Sequence, residues 1–200
     1  MPAVLSEKQL TEFREKICVI ASQQFAELGA EKVSMRSIAK ALGYSATALY
    51  SYFENKDAIL MATRARAYLR LAGRLEEAMQ NNDDLWAVSR AIGDAYIQFA
   101  RDEPAAYQLI FAFQQPHQSP SPELTIAENR ANYFLVEYVR SMVKAGLLEG
   151  DPVRLAHVYW AGMHGLIQLE MVGKFSMEGA NFEDLRHEMM RLITRGARPS

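Results

Sequence analysis

Between Ser6 and Leu28 the apolar residues Leu10, Phe13, Ile17, Ile20, Ala21, Phe25 and Leu28 recur three and four apart, the spacing of one helical face. The same spacing returns along nearly the whole chain, each time opened by a side chain able to cap a helix. Gly29 suits the C-terminal cap of the first segment. Ser34 caps a second through Ala41, with Met35, Ile38, Ala39 and Leu42 facing inward, and Gly43 ends it. Ser45 caps a third, very short one carrying Leu49, Tyr50, Tyr52 and Phe53, and Asn55 opens a fourth that begins Lys56-Asp57 and runs past Leu75.

Further on, Asp83 or Asp84 starts a helix from Leu85 to Ala100, and Asp102-Glu103-Pro104 starts the next, toward Phe113. "QQPHQSPSP", Gln114 to Pro122, reads as a surface loop. Ser121-Pro122 opens a helix that ends at Gly146, and Asp151-Pro152 opens one as far as Val172. A last amphipathic helix spans Phe182 to Ile193, and the tail "RGARPS" is expected to fray. Valine, isoleucine and threonine nowhere alternate with polar residues over a useful length, so the fold class is all-α.

With 200 residues, half of them hydrophobic, the chain can bury one substantial core or two small ones. Its one cysteine, Cys18, excludes an internal disulfide framework and a cysteine-built zinc site, which fits a cytoplasmic location. The start lacks the pattern of a secretory leader, and no stretch reaches the roughly 18 uncharged apolar residues of a membrane span. The net charge of -2 is unevenly spread. From Lys32 to Arg74 eight basic side chains face two acidic ones, while the rest of the chain is acidic. A basic segment in an acidic chain suggests that a polyanion is met there, although a solvated helix face gives the same pattern.

Two short helices joined by a glycine turn, at positions 34–53, fit a helix-turn-helix whose second helix enters the major groove. Ile38, Ala39, Leu42 and Leu49 would lock the pair, leaving Ser45, Ala46, Thr47, Tyr50 and Ser51 to face outward toward phosphates and base edges. Lys56, at a helix N-terminus, is placed to hold a phosphate. Such helix pairs also occur in helical proteins that bind other proteins.

The wording of the segment is more specific than its geometry. "FAELGAEKVSMRSIAKALGYSATALYSYFENKDAIL" closely resembles the N-terminal domain of the tetracycline-repressor (TetR) family: phenylalanine then glycine, the Ile-Ala pair, Gly-x-Ser, Leu-Tyr-x-Tyr-Phe and Lys-Asp-x-x-Leu stand in register. The resemblance implies DNA contacts at Ser34, Met35 and Arg36, at Ser45, Ala46, Thr47, Tyr50 and Tyr52, and at Lys56. Tyr44 and Thr47 depart from the family's usual small residues. Ala46 offers only apolar contact, so base readout would rest on Arg36, Thr47 and Tyr50.

The resemblance also implies an N-terminal three-helix helix-turn-helix domain, residues 11–71, joined by a linking helix to a C-terminal helical domain, residues 74–196, that binds an effector and dimerises. "FARDEPAAYQLIF" and "WAGMHGLIQLEMVGKF" look like the C-terminal subtype named for its Trp-His-Gly signature. Large apolar or polar-tipped side chains there are candidate chamber residues: Tyr96, Phe99, Tyr107, Phe111, Tyr133, Phe134, Tyr138, Trp160 and His164. An aromatic stripe at helical spacing is more often packing than a ligand box, so most of these are expected to be core.

The last two helices carry more apolar surface than one small domain needs, which gives a candidate dimer interface of Leu155, Tyr159, Gly162, Met163, Leu166, Met189, Leu192 and Ile193. Gly162 and Gly165 would permit close helix approach. A monomer whose core absorbs that surface is the alternative. His157 and His164 lie two turns apart, roughly 10 Å, too far to share a metal. His117 falls in the loop and His187 on a solvated face. No catalytic constellation, metal site or cofactor motif is identifiable, so the chain is not expected to be an enzyme. The expected activity is that of a ligand-responsive transcriptional regulator: a homodimer that represses from a palindromic double-stranded operator and is released by a small hydrophobic or aromatic effector, with no membrane partner.

Overall fold

The computed structural model describes residues 6–111, 121–175 and 180–199. Among these the regular elements are all helices: α1 (Glu7–Leu28), α2 (Met35–Leu42), α3 (Ala46–Leu49), α4 (Lys56–Gln80), α5 (Leu85–Asp102), α6 (Pro104–Phe111), α7 (Pro122–Lys144), α8 (Pro152–Met171) and α9 (Phe182–Gly196). Phe113, His117 and most of the proline-rich loop lie outside the described residues. No described helix is long and apolar enough to cross a membrane.

Local chemistry sets most of these boundaries. Ser6 and Gln9 form a reciprocal capping box at the start of α1, and Gly29, at φ 80°, takes the positive-φ conformation that ends it. Ser34 and Ser37 do the same for α2, each backbone N–H donating to the other's hydroxyl at 3.0 and 3.1 Å. The Asn55 side chain accepts from Ala58 N at 2.8 Å, and Asp84 from Ala87 N at 2.7 Å. Asp151 accepts from Arg154 N at 2.8 Å before the proline that opens α8.

The helices divide into two packing units. The first takes the chain through Arg70 together with Glu103–Asn129. Its core joins Ile17, Ala21 and Phe25 of α1, Ile38 and Ala39 of α2, Leu49 of α3 and Ile59 of α4, and it admits Leu109 from α6. Leu49 is fully buried, so truncation to alanine would cost about 2–5 kcal/mol. The buried stripe of α1 runs only from Ile17 to Phe25; Leu10 and Leu28, expected on it, are exposed. Burial pushes the Cys18 thiol up, which makes it a core thiol and not a reactive one.

The second unit comprises Leu71–Asp102 and the chain from Arg130 onward. Leu75, Ile92, Phe99, Met142 and Ile167 are buried there. The tail expected to fray is tied down instead: α9 continues to Gly196, Ala197 is buried, and its carbonyl accepts from Glu149 N at 2.7 Å.

Candidate nucleic-acid interface and effector cleft

In the first unit, α2 and α3 meet at Gly43, whose φ of 76° lets Tyr44 N donate back to the Ala39 carbonyl at 2.9 Å. Ala39 is 1% exposed, as close helix approach at the turn requires. Ser45 accepts from Ala48 N at 3.3 Å and so fixes the short α3. Arg14 of α1 clamps the far end of α3. Its guanidinium donates to the Tyr52 carbonyl at 2.9 Å and lies 4.3 Å from the Phe53 ring centroid. Sequence reading missed this positioning role because Arg14 lies 38 residues from Tyr52.

The frame sorts the expected DNA contacts. Ser34, Arg36, Ser45, Thr47 and Tyr50 are exposed, and so are Lys40, Tyr44 and Ser51. Residues 34–51 contain no aspartate or glutamate, and Arg36 and Lys40 have no ion-pair partner among the described residues. The remaining expected contacts are less exposed. Met35 is 8% exposed and packs in the core. Tyr52 is half-buried with its ring 4.6 Å from that of Phe13, a wedge behind α3. Ala46 is partly buried against the same core. Lys56 is half-buried and its ammonium donates to the Ala30 carbonyl at 2.7 Å, which leaves two of its three N–H groups. Tyr44 joins the surface: its ring is 52% exposed and stands edge-on to Phe13 at 4.9 Å.

In the second unit, Tyr96, Tyr138 and Trp160 come together in a cleft with Ile92, Leu135, Tyr159 and Met163. Its open space is about 380 Å³ with the solvent at its mouth counted in. Trp160 Nε1 donates to the Tyr96 hydroxyl at 2.8 Å, and the Tyr159 hydroxyl bonds Thr194 at 2.9 Å. Burial pushes the Tyr138 phenol well up, so the lining is neutral. The other chamber candidates lie elsewhere. Phe99 is fully buried in the core, Tyr133 is 57% exposed, and Phe134 and His164 are half-buried outside the lining. Burial lowers the His164 pKa, which leaves its imidazole neutral at pH 7. Tyr107 and Phe111, with ring centroids 4.9 Å apart and planes tilted by 59°, go with α6 into the first unit.

The dimer candidates also divide. Tyr159 and Met163 face inward to the cleft, and a Cβ on Gly162 would come within 2.6 Å of Met189 Sδ and 3.4 Å of Ile193. The close approach at Gly162 is therefore between α8 and the same chain's α9, while nothing lies within 4 Å of a Cβ on Gly165. Leu192 remains 56% exposed, Val158 50% and Leu169 45%, and Leu155 and Leu166 are half-buried. His157 is exposed with Nδ1 2.7 Å from the Val153 carbonyl, and no group of three or more possible metal ligands exists among the described residues.

A carboxylate-free helix-turn-helix surface on one helical unit, and an apolar cleft in a second, define a DNA-binding regulator of transcription. The chain belongs to the tetracycline-repressor family: residues 89–193, just over half of it, match the tetracyclin repressor-like C-terminal domain, and residues 17–63 match the bacterial regulatory proteins of the tetR family. The HTH-type transcriptional regulator Mb1846 of Mycobacterium bovis is 24% identical over 202 residues, with 82% of each chain covered. Among solved structures, a protein of unknown function from Rhodococcus sp. RHA1 has a TM-score of 0.79 at 24% identity over 100% of both chains. A TetR family transcription regulator from Marinobacter aquaeolei VT8 has a TM-score of 0.77 at 21% identity, over 98% of this chain and 100% of that one. The matched families and the Mycobacterium bovis relative are regulators of transcription, not enzymes.

Proposed function

We propose that the chain is a cytoplasmic homodimeric repressor whose residues 11–71 bind DNA and whose residues 74–196 bind an effector and dimerise, the latter of the Trp-His-Gly subtype. Trp160, His164 and Gly165 supply that signature. The observation that carries the reading is the outward face of α2 and α3. Ser34, Arg36, Lys40, Tyr44, Ser45, Thr47 and Tyr50 expose donors and cations there without a carboxylate to repel phosphate. Two such faces, one from each protomer, would read half-sites of an inverted repeat roughly 34 Å apart or slightly more.

Release follows if a small apolar effector in the Tyr96–Trp160 cleft binds the two dimer states unequally; without that difference nothing shifts. Leu109 offers a lever, since it brings α6 into the same core as Ile17 and Leu49 and any displacement of α6 disturbs the packing under the recognition helix. The reading is tested by selecting from random double-stranded DNA with the full chain. Enrichment of an inverted repeat is expected. A pool that stays random contradicts it and favours a module that binds protein.

A further inference from the structure

Beside the apolar cleft lies a second, wider one, lined by Trp86 and Arg90 of α5, by His187, Arg191 and Arg195 of α9, and by Arg198 just beyond it. It contains four arginines and a histidine and no carboxylate, in a part of the chain that is acidic overall. Arg191 is paired with Glu188 at 2.5 Å. Arg90, Arg195 and Arg198 have no ion-pair partner among the described residues. Arg195 is eased by the α9 C-terminus, where the helix dipole favours a cation. Arg90, in the second turn of α5, has no such reason. The backbone next to Arg198 is tied by the bond from Glu149 N to the Ala197 carbonyl. Like charges converging on one cleft repel, and an anion between them removes the cost.

Ser89 and Met190 line this basic cleft and the apolar one alike. A flexible thioether and a small hydroxyl are thus the walls the two spaces share. We infer that the two clefts form one site for an anionic amphiphile, its apolar body against Tyr96, Leu135 and Trp160 and its carboxylate or phosphate head among Arg90, Arg195 and Arg198. The inference rests on the reading of the apolar cleft as the effector site and adds the chemistry of the head group.

Calorimetric titration of the full-length protein tests it with dodecanoate, dodecyl phosphate, dodecanol and inorganic phosphate, each amphiphile below its micelle concentration. One or both anionic amphiphiles should bind about tenfold or more tighter than dodecanol, and their ranking tells a carboxylate head from a phosphate head. The triple variant Arg90→Gln, Arg195→Gln, Arg198→Gln should lose that preference and keep dodecanol binding. A matched variant outside the cleft, Arg140→Gln, Arg154→Gln, Lys174→Gln, should retain the preference, and thermal melts verify that both variants fold. Equal binding of dodecanol, a preference that survives the triple variant, or no binding by either anion overturns the inference. Inorganic phosphate binding as tightly as dodecyl phosphate overturns the single-site geometry. Operator release followed in the same samples separates the two readings. Charge-selective binding that leaves DNA affinity unchanged supports this site and refutes the effector role. Release by dodecanol without any head-group preference refutes this site and supports the effector role.

Discussion

Lys56 Nζ donates to the Ala30 carbonyl across 2.7 Å, pinning the first residue of α4 to the loop that leaves α1. The bond crosses 26 residues and ends on a residue that is 3% exposed. A lysine in a helix-turn-helix domain reads from sequence as a phosphate ligand; here the same ammonium is also part of the frame. Lys56→Ala should therefore lower unfolding free energy by about 1–2 kcal/mol in urea. It should also flatten the salt dependence of DNA binding by roughly one counterion. An unchanged urea midpoint refutes the framing role, and an unchanged salt slope refutes the phosphate contact.

Tyr50, the residue that caps α3, is 57% exposed, and its neighbour Leu49 is fully buried. Tyr50→Phe removes only the hydroxyl and should weaken operator binding by about 1 kcal/mol without moving the melting temperature. A gel-shift titration that matches wild type takes Tyr50 off the DNA.

Gly43 bridges α2 and α3 at φ 76°, and a Cβ there would meet nothing within 4 Å. The cost of Gly43→Ala is thus conformational alone, about 1 kcal/mol, read from the urea midpoint. Gly43→Asn should cost less, because asparagine tolerates this region. Equal stability of all three proteins would mean that the turn relaxes to another conformation.

Leu192, Val158 and Leu169 expose apolar surface on α8 and α9. If that surface is the dimer face, Val158→Glu together with Leu192→Glu should yield a folded monomer by sedimentation, through the cost of burying unpaired charge. A dimer that survives both substitutions places the interface elsewhere.

Helices and their starts were legible because capping is local: Ser6, Ser34, Asn55, Asp84 and Asp151 each bond a backbone N–H three residues ahead. What the sequence concealed depends on partners far along the chain. The Ala197 carbonyl meets Glu149, Gly162 meets Met189 on the next helix, and Arg14 meets Tyr52. Aromatic residues at helical spacing could not be divided between core and cleft. Tyr96 and Trp160 line the cleft, yet Phe99, one turn on from Tyr96, is buried, and Tyr107 follows α6 into the other unit. Met35 satisfied both an inward spacing and a DNA-contact motif, and its 8% exposure bears out the inward spacing.

The central claim is that two copies of the α2–α3 face read successive major grooves together. It is tested most directly by measuring the affinity of the full-length protein for its selected inverted repeat before and after inserting about half a helical turn of DNA between the half-sites. The insertion rotates one half-site to the opposite side of the duplex, and affinity is predicted to fall to that for unrelated DNA. Unchanged affinity would mean that each face binds alone, and would contradict the account.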